Sequence, residues 1–271
     1  MTTHLPLSSF IVVIAFLIGN AEPGLARELD QSARDSALRG VLWRRTSAEY
    51  EALCRQIYHG AWLHVRSELV KRIARPKPLA VILDLDETVL NNSGYSAHLI
   101  QNGLKHSQAL WQTWNRNNVD NIGLVPGAKT FIKAVQQKNV HVAFISNRSE
   151  KIRDVTVEIL VNLGLGEEQD LLDRDTLRLL LRKGSGSKRA RRQTVMHNYE
   201  VIALLGDNLG DFSDDFRSPT VKSIAERQYK VQQHNARWGT RWFVLPNSTY
   251  GYWTRFIDWQ RAEVYFQTPN R

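Results

Sequence analysis

Apolar residues in this chain follow two rhythms. Mainly apolar stretches at Leu79–Leu85, Val140–Ile145 and Val201–Leu205 read as short buried strands, the first bounded by Pro76 and Pro78. Between them the apolar positions fall at helical spacing. Tyr50, Leu53, Ile57, Ala61 and Val65 line one face of a predicted helix, and Thr46 and Glu49 stand before it at capping-box spacing. A second helix is predicted from Pro126 to Lys138, with the proline in its first turn, and a third over Glu150–Leu163. Short aliphatic strands separated by helices predict an α/β fold, a Rossmann-like parallel sheet with helices on both faces. Such sheets bind ligands at the carboxyl ends of their strands. The three predicted strands all run into polar clusters there: "DLDET", "SNRS" and "GDNLGD".

The first residues show a different pattern. Phe10–Ile18, "FIVVIAFLI", is apolar throughout and too short to span a bilayer comfortably. Gly19 with Ala21, and Gly24 with Ala26, fit small-x-small cleavage sites, so residues 1–26 are predicted to be a signal peptide. The mature chain would then begin at Glu22 or Arg27 and be periplasmic or secreted. An uncleaved membrane anchor is the alternative, because only His4 and the terminal amine precede the apolar run. No cysteine lies near the cleavage region, so lipid attachment there is excluded and no stable membrane anchor is expected.

Composition bounds the rest. At 271 residues, 42% apolar and 23% charged, the chain suits one sizeable domain, here residues 27–271, with room for a small cap. Its one cysteine, Cys54, rules out an intrachain disulfide. The net charge of +9 becomes +9 + 1 = +10 if residues 1–26, which hold one Glu and no Lys or Arg, are removed. That favours anionic ligands, but no strong nucleic-acid motif accompanies it. The compact basic run Lys188–Arg192, "KRARR", reads most simply as a solvated helix start or loop.

The carboxylates change the picture. Successive side chains in a strand point to opposite faces, so Asp84 and Asp86 share a face at the end of the first strand. A third carboxylate, Asp207, ends the last of the three strands, and Asp211 follows it. Buried carboxylates are costly unless a cation or hydrogen bonds compensate them. Hard oxygen ligands gathered at one point suit Mg²⁺.

These residues resemble the haloacid dehalogenase (HAD) superfamily of phosphohydrolases. "DLDETVLNNSGY" is similar to its motif I, "FISNR" to motif II, Lys188 to motif III and "LLGDNLGDF" to motif IV. The closer similarity is to class C bacterial acid phosphatases, the lipoprotein e type, which include 5'-nucleotidases. It runs from "LWRRTSAEY" (Leu42–Tyr50) to "FVLPNSTYGYW" (Phe243–Trp253). Two departures stand out. The chain lacks the lipobox cysteine of well-known members, and "GSGS" (Gly184–Ser187) precedes Lys188, which leaves Lys183 as a competing motif III lysine.

The resemblance implies a HAD-like fold with a mainly helical cap around residues 91–125, and a metal-dependent phosphomonoesterase. It implies that Asp84 is the nucleophile and that Asp86 protonates the leaving oxygen and later activates water. It gives Mg²⁺ to Asp84, Asp207 and the main-chain carbonyl of Asp86, phosphate oxygens to Ser146 and Asn147, and charge stabilisation to Lys188. Asp211 would support Lys188 or a metal-bound water, and Glu87 takes no catalytic role. Trp111 and Tyr250 match positions where nucleotidases of this type stack on a nucleobase; Trp114 and Trp253 are nearby aromatics, and core packing is the competing explanation for all of them. A small phosphomonoester, a nucleotide above all, is the expected partner. A catalytically silent storage or binding protein of the same fold is the alternative, opposed by the intact Asp84.

Overall fold

The computed structural model describes residues 37–71 and 75–266, the Gln260 side chain excepted. The predicted signal peptide and both predicted cleavage junctions lie outside the described residues. The strands are β1 (Leu79–Leu83), β2 (Leu90–Asn91), β3 (Gly123–Leu124), β4 (His141–Ser149), β5 (Leu179–Arg182), β6 (Glu200–Gly206) and β7 (Trp242–Val244). Five of them form a parallel sheet in the order β5-β4-β1-β6-β7. The helices are α1 (Ala48–Val70), α2 (Ser93–Gln101), α3 (Gln108–Asn117), α4 (Ala128–Gln136), α5 (Arg153–Asn162), α6 (Glu168–Leu172), α7 (Arg189–Asn198) and α8 (Ile224–Gln233), and residues 37–46 are also helical.

Strand alternation divides the core. Val81, Leu83, Val142, Phe144, Ala203 and Leu205 pack on one side of the sheet with α1, α4 and α5. Ala80, Ile82, Ala143, Ile145 and Leu204 pack on the other with Val195 of α7, Phe212 and Trp242. Both faces of β1 are therefore apolar, which is why its sequence reads as a continuous run rather than an alternation.

From β1 the chain steps outward to β4 and β5, then crosses to β6 and β7 on the other side of β1. The order reverses between β1 and β6, and a crevice opens at such a switch point. Asp84 follows β1 and Asp207 follows β6, so both stand at its mouth.

Two helix starts differ from expectation. The N-cap of α1 is Ser47, whose hydroxyl accepts from the Tyr50 amide at 3.1 Å; Thr46 instead donates to the Leu42 carbonyl at 2.8 Å, so no box with Glu49 forms. Pro126 lies ahead of α4 rather than in its first turn, because Gly127 at the N-cap takes a left-handed φ of 90°. Leu90–Asn91 pairs antiparallel with Gly123–Leu124, so the segment carrying α2 and α3 leaves and returns on one two-stranded stem. Among the described residues, no helix is long and apolar enough to cross a membrane.

Candidate active site

The site begins where β1 stops. The Asp84 amide still donates to the Leu205 carbonyl at 2.9 Å, one residue beyond β1. The chain then folds over the Leu85 carbonyl, which accepts from the amides of Thr88, Val89 and Leu90, while Glu87 sits at a left-handed φ of 63°. This tight loop leaves the Asp84 carboxylate almost buried, at 7% exposure. Thr88 Oγ1 donates to its Oδ2 at 3.4 Å, and Lys188 Nζ donates to its Oδ1.

Lys188 is itself buried at the N-cap of α7, and also reaches Asp211 Oδ1 at 2.8 Å. Lys183 is exposed. The basic run is thus only partly solvated: Lys188 and Arg192 are buried, and Arg192 donates to the carbonyls of Gly210 and Asp211 at 3.2 and 2.9 Å. Asp211 is fixed from its other side by the Asn208 amide, 3.0 Å from Oδ2. Asn247 Nδ2 donates to Asp207 Oδ2 at 2.7 Å. One oxygen each from Asp84, Asp207 and Asp211 lie within 4.8 Å of one another.

The electrostatics follow from this crowding. Burial pushes the Asp84 carboxyl up to about 7; Lys188 pulls it down, and Asp211 and Asp86 repel it upward again. Burial raises Asp207 well above the carboxylate range, with Asp211 and Asp84 adding to it. Burial works against the Lys188 ammonium, but Asp211 and Asp84 outweigh it and leave its pKa raised.

Asp86 stands apart from this trio. Its Oδ1 accepts from Arg148 Nε and Asn92 Nδ2, each at 2.9 Å, and its Oδ2 faces Ser146 Oγ at 3.4 Å. Ser146 is fully buried, so its hydroxyl is tied to Asp86 and to the Arg148 amide. Asn147 is exposed, with its amide on the Gly186 carbonyl and its oxygen held by Arg191 at 3.0 and 2.7 Å. Trp111 on α3 packs edge-on against Tyr95 of α2, centroids 4.8 Å apart, and the Arg148 guanidinium lies over its ring at 5.3 Å. Trp114 also packs on Tyr95, at 5.7 Å, which makes it part of the same aromatic cluster.

Glu87 and Tyr250 meet directly. The Tyr250 hydroxyl donates to Glu87 Oε2, and Arg44 pairs with Glu87 Oε1 at 2.9 Å. The Asn92 amide donates to the same Oε1 at 2.9 Å. Residues from both ends of the described chain therefore close on the loop after β1. The Tyr250 phenol is pushed well up by burial and by Glu87, while the residue as a whole keeps 43% of its surface exposed.

Known proteins resemble this chain along most of its length. Residues 25–253 match the model of a family described as HAD superfamily, subfamily IIIB (Acid phosphatase). The chain belongs to this acid phosphatase family. Among solved structures it is similar to the class C acid phosphatase from Bacillus anthracis with tungstate bound, at 30% identity and a TM-score of 0.71, over 90% of this chain and 92% of that one. A second structure of the class C acid phosphatase from Bacillus anthracis matches at 29% identity and a TM-score of 0.70, over the same shares.

This acid phosphatase is accordingly a phosphomonoesterase with a HAD-like fold. Family members generally depend on a divalent metal, and the donor set here fits one. Three carboxylates, Asp84, Asp207 and Asp211, face one ammonium, Lys188, so the cluster with all three ionised carries 3 − 1 = 2 negative charges for a dication to balance. Oxygen-only donors at that charge suit a hard dication. Four residues joined to the site went unnoticed in the sequence. All four lie inside stretches that carry the family resemblance, Asn92 in motif I, Arg148 in motif II, Arg44 in "LWRRTSAEY" and Asn247 in "FVLPNSTYGYW", but nothing local pairs Arg44 with Glu87 or Asn247 with Asp207, 43 and 40 positions away.

Proposed function

We propose that this acid phosphatase is exported, depends on Mg²⁺ and hydrolyses phosphomonoesters, 5'-nucleotides above all, through an aspartyl-phosphate on Asp84. The observation that carries the reading is Asp84 itself: a carboxylate at a sheet switch point, gripped by Lys188 and facing Asp207 and Asp211. A buried carboxylate surrounded by like charge is costly unless a cation compensates it, and such groups cluster at functional sites.

In the first half-reaction an Asp84 oxygen attacks phosphorus as the bond from phosphorus to the leaving oxygen breaks. Asp86 gives its proton to that oxygen, so an alcohol departs and Asp86 becomes a carboxylate. In the second, Asp86 takes a proton from water while the water oxygen bonds to phosphorus. Asp84 is released as a carboxylate with inorganic phosphate. Lys188 places a fixed cation beside the reacting carboxylate and the charge that develops on the phosphoryl group. Ser146 and Asn147, at the carboxyl-end segment of β4, offer donors to the phosphate oxygens once substrate displaces their present contacts. Asp84, Asp207 and the main-chain carbonyl of Asp86 would hold the metal, with Asp211 behind them bracing Lys188. When bound, the dication offsets repulsion between the anionic nucleophile and phosphate and favours ionised Asp84.

Nucleotide preference is supported by the cap. Trp111 touches Arg148, and Arg148 touches Asp86, so this aromatic lies one side chain away from the proposed leaving-group acid. Tyr250 presents an exposed ring anchored through its hydroxyl. Export is supported by the apolar run Phe10–Ile18 and the small residues after it.

The test is a hydrolysis screen of nucleoside monophosphates, p-nitrophenyl phosphate and an alkyl phosphate, with Mg²⁺ or with chelator, from acidic to neutral pH. Phosphate release that needs the metal and favours nucleotides is expected. Metal-independent or nucleotide-blind turnover would remove those parts of the reading. Mass spectrometry of protein recovered outside the cytoplasm should find Glu22 or Arg27 as the first residue, and an intact Met1 form in membrane would favour an anchor.

A further inference from the structure

Arg148 is 2% exposed, unusually low for an arginine, and a buried guanidinium persists where it is paired. Its Nε and one terminal nitrogen both reach Asp86 Oδ1, at 2.9 and 2.8 Å, and Asn92 Nδ2 adds a third donor to that oxygen at 2.9 Å. Among the described residues, Oδ2 meets only the Ser146 hydroxyl, at 3.4 Å. The two oxygens of Asp86 are therefore not equivalent. An acid that delivers a proton to a leaving group needs one oxygen held and the other free.

We propose that Arg148 is the positioning residue for the leaving-group acid. It saturates Oδ1 and leaves Oδ2 to carry the proton to the departing oxygen and back from water, an inference that rests on the acid–base role given above to Asp86. Other contacts fit the same task. Arg148 reaches Asn92 Oδ1 at 3.3 Å, and its amide donates to Ser146 Oγ at 3.1 Å, so one residue sets both neighbours of Asp86. Its remaining terminal nitrogen has no hydrogen-bond partner among the described residues, and the guanidinium lies over the Trp111 ring within cation–π range. A lysine would supply the charge but not two donors from one rigid plane.

The dependence on the leaving group tests this. A nitrophenolate departs readily without a proton, whereas a simple alkoxide does not. Arg148→Ala, Arg148→Lys and Asp86→Asn are compared on p-nitrophenyl phosphate and an alkyl phosphate, with inhibition by inorganic phosphate as a check that the pocket is intact. The value of kcat/KM is read because it covers transfer to Asp84 and not the later hydrolysis. Arg148→Ala should lose about 10²-fold on the alkyl phosphate, the low end of a general-acid contribution, and far less on the nitrophenyl ester. Arg148→Lys should show the same selectivity with a smaller loss, and none beyond that of Asp86→Asn when the two are combined. Phosphate inhibition should stay unchanged. If Arg148→Ala does not fold, Arg148→Lys, which keeps the charge, decides. Equal losses on both esters in the Arg148 variants, with Asp86→Asn still selective, would overturn the positioning role alone. An Asp86→Asn enzyme without selectivity would instead remove the acid role on which it rests.

Discussion

Gly206 lies against the Asp211 carboxylate so closely that a Cβ at position 206 would meet Asp211 Oδ2 at 2.5 Å and its Cβ at 2.6 Å. The end of β6 thus has no room for any side chain, because the residue that braces Lys188 occupies it. Gly206→Ala should push Asp211 away from Lys188, with an overpacking cost of about 1–3 kcal/mol. Thermal unfolding and kcat measured together check this. Wild-type values of both would show that Asp211 moves aside freely.

Asp84→Asn should abolish turnover with the fold retained. The amide has the shape of the carboxylate but is not a nucleophile, and Lys188 keeps Asp211 as a partner at 2.8 Å. Circular dichroism and a phosphate-release assay on the purified variant decide it. Wild-type turnover would remove the aspartyl-phosphate.

The metal-free protein carries the repulsion in this cluster, so Asp207→Asn should be more stable than wild type in chelator. The sign follows from burial, which raises Asp207 well above its ordinary value and Asp84 to about 7. A carboxyl with a raised folded pKa binds more protons folded than unfolded, so its contribution to stability falls as pH rises above about 4. The advantage of Asp207→Asn over wild type should therefore grow from acid towards neutral pH. Adding Mg²⁺ should reverse the order, since a ligand at 100 times its Kd stabilises by about 2.7 kcal/mol and the variant binds it poorly. Melting curves with Mg²⁺ and with chelator read both effects. Equal Mg²⁺ stabilisation of the two proteins would take Asp207 out of the metal site.

What the sequence made legible was local. The runs of β1, β4 and β6 stand out because both sheet faces are covered, and their polar ends lead directly to Asp84, Ser146 and Asp207. The edge strands β5 and β7 span only Leu179–Arg182 and Trp242–Val244, too short to register as runs. The links across the site had no signal at all. Arg148 lies 62 positions from Asp86, and Tyr250 lies 163 from Glu87, so pairing them needed the folded chain. The sequence leaves Glu87 a structural or supporting role beside the two aspartates, and its left-handed backbone and full burial make it the anchor of the loop.

That anchor should be costly to weaken. The Arg44–Glu87 pair is fully buried on both sides, so Glu87→Gln leaves Arg44 with no counter-charge. Breaking such a pair costs about 3–5 kcal/mol, whereas Tyr250→Phe, which removes one hydrogen bond to a charged group, should cost about 1.5–3 kcal/mol. Denaturant unfolding of the two variants gives the order. A larger loss in Tyr250→Phe would shift the anchor from the ion pair to the phenol.

Trp111 separates a nucleotidase from a phosphatase that reads only phosphate. Its ring touches Tyr95 of α2 and Arg148 beside Asp86, so removing it has two consequences of different kinds. Loss of the cover over Arg148 affects every substrate that needs a protonated leaving group. Loss of a stacking surface affects only a substrate with a base to stack, by about 1–3 kcal/mol. Trp111→Ala should then lower kcat/KM for a nucleoside monophosphate about 5- to 150-fold more than for a small alkyl phosphate. Comparing these two esters cancels the shared effect on the acid, which a comparison with p-nitrophenyl phosphate would not. Folding is followed in parallel, since truncating a packed tryptophan can cost about 3–5 kcal/mol. Equal losses on both esters would assign Trp111 to packing and to Arg148, and leave a broad phosphatase as the better description.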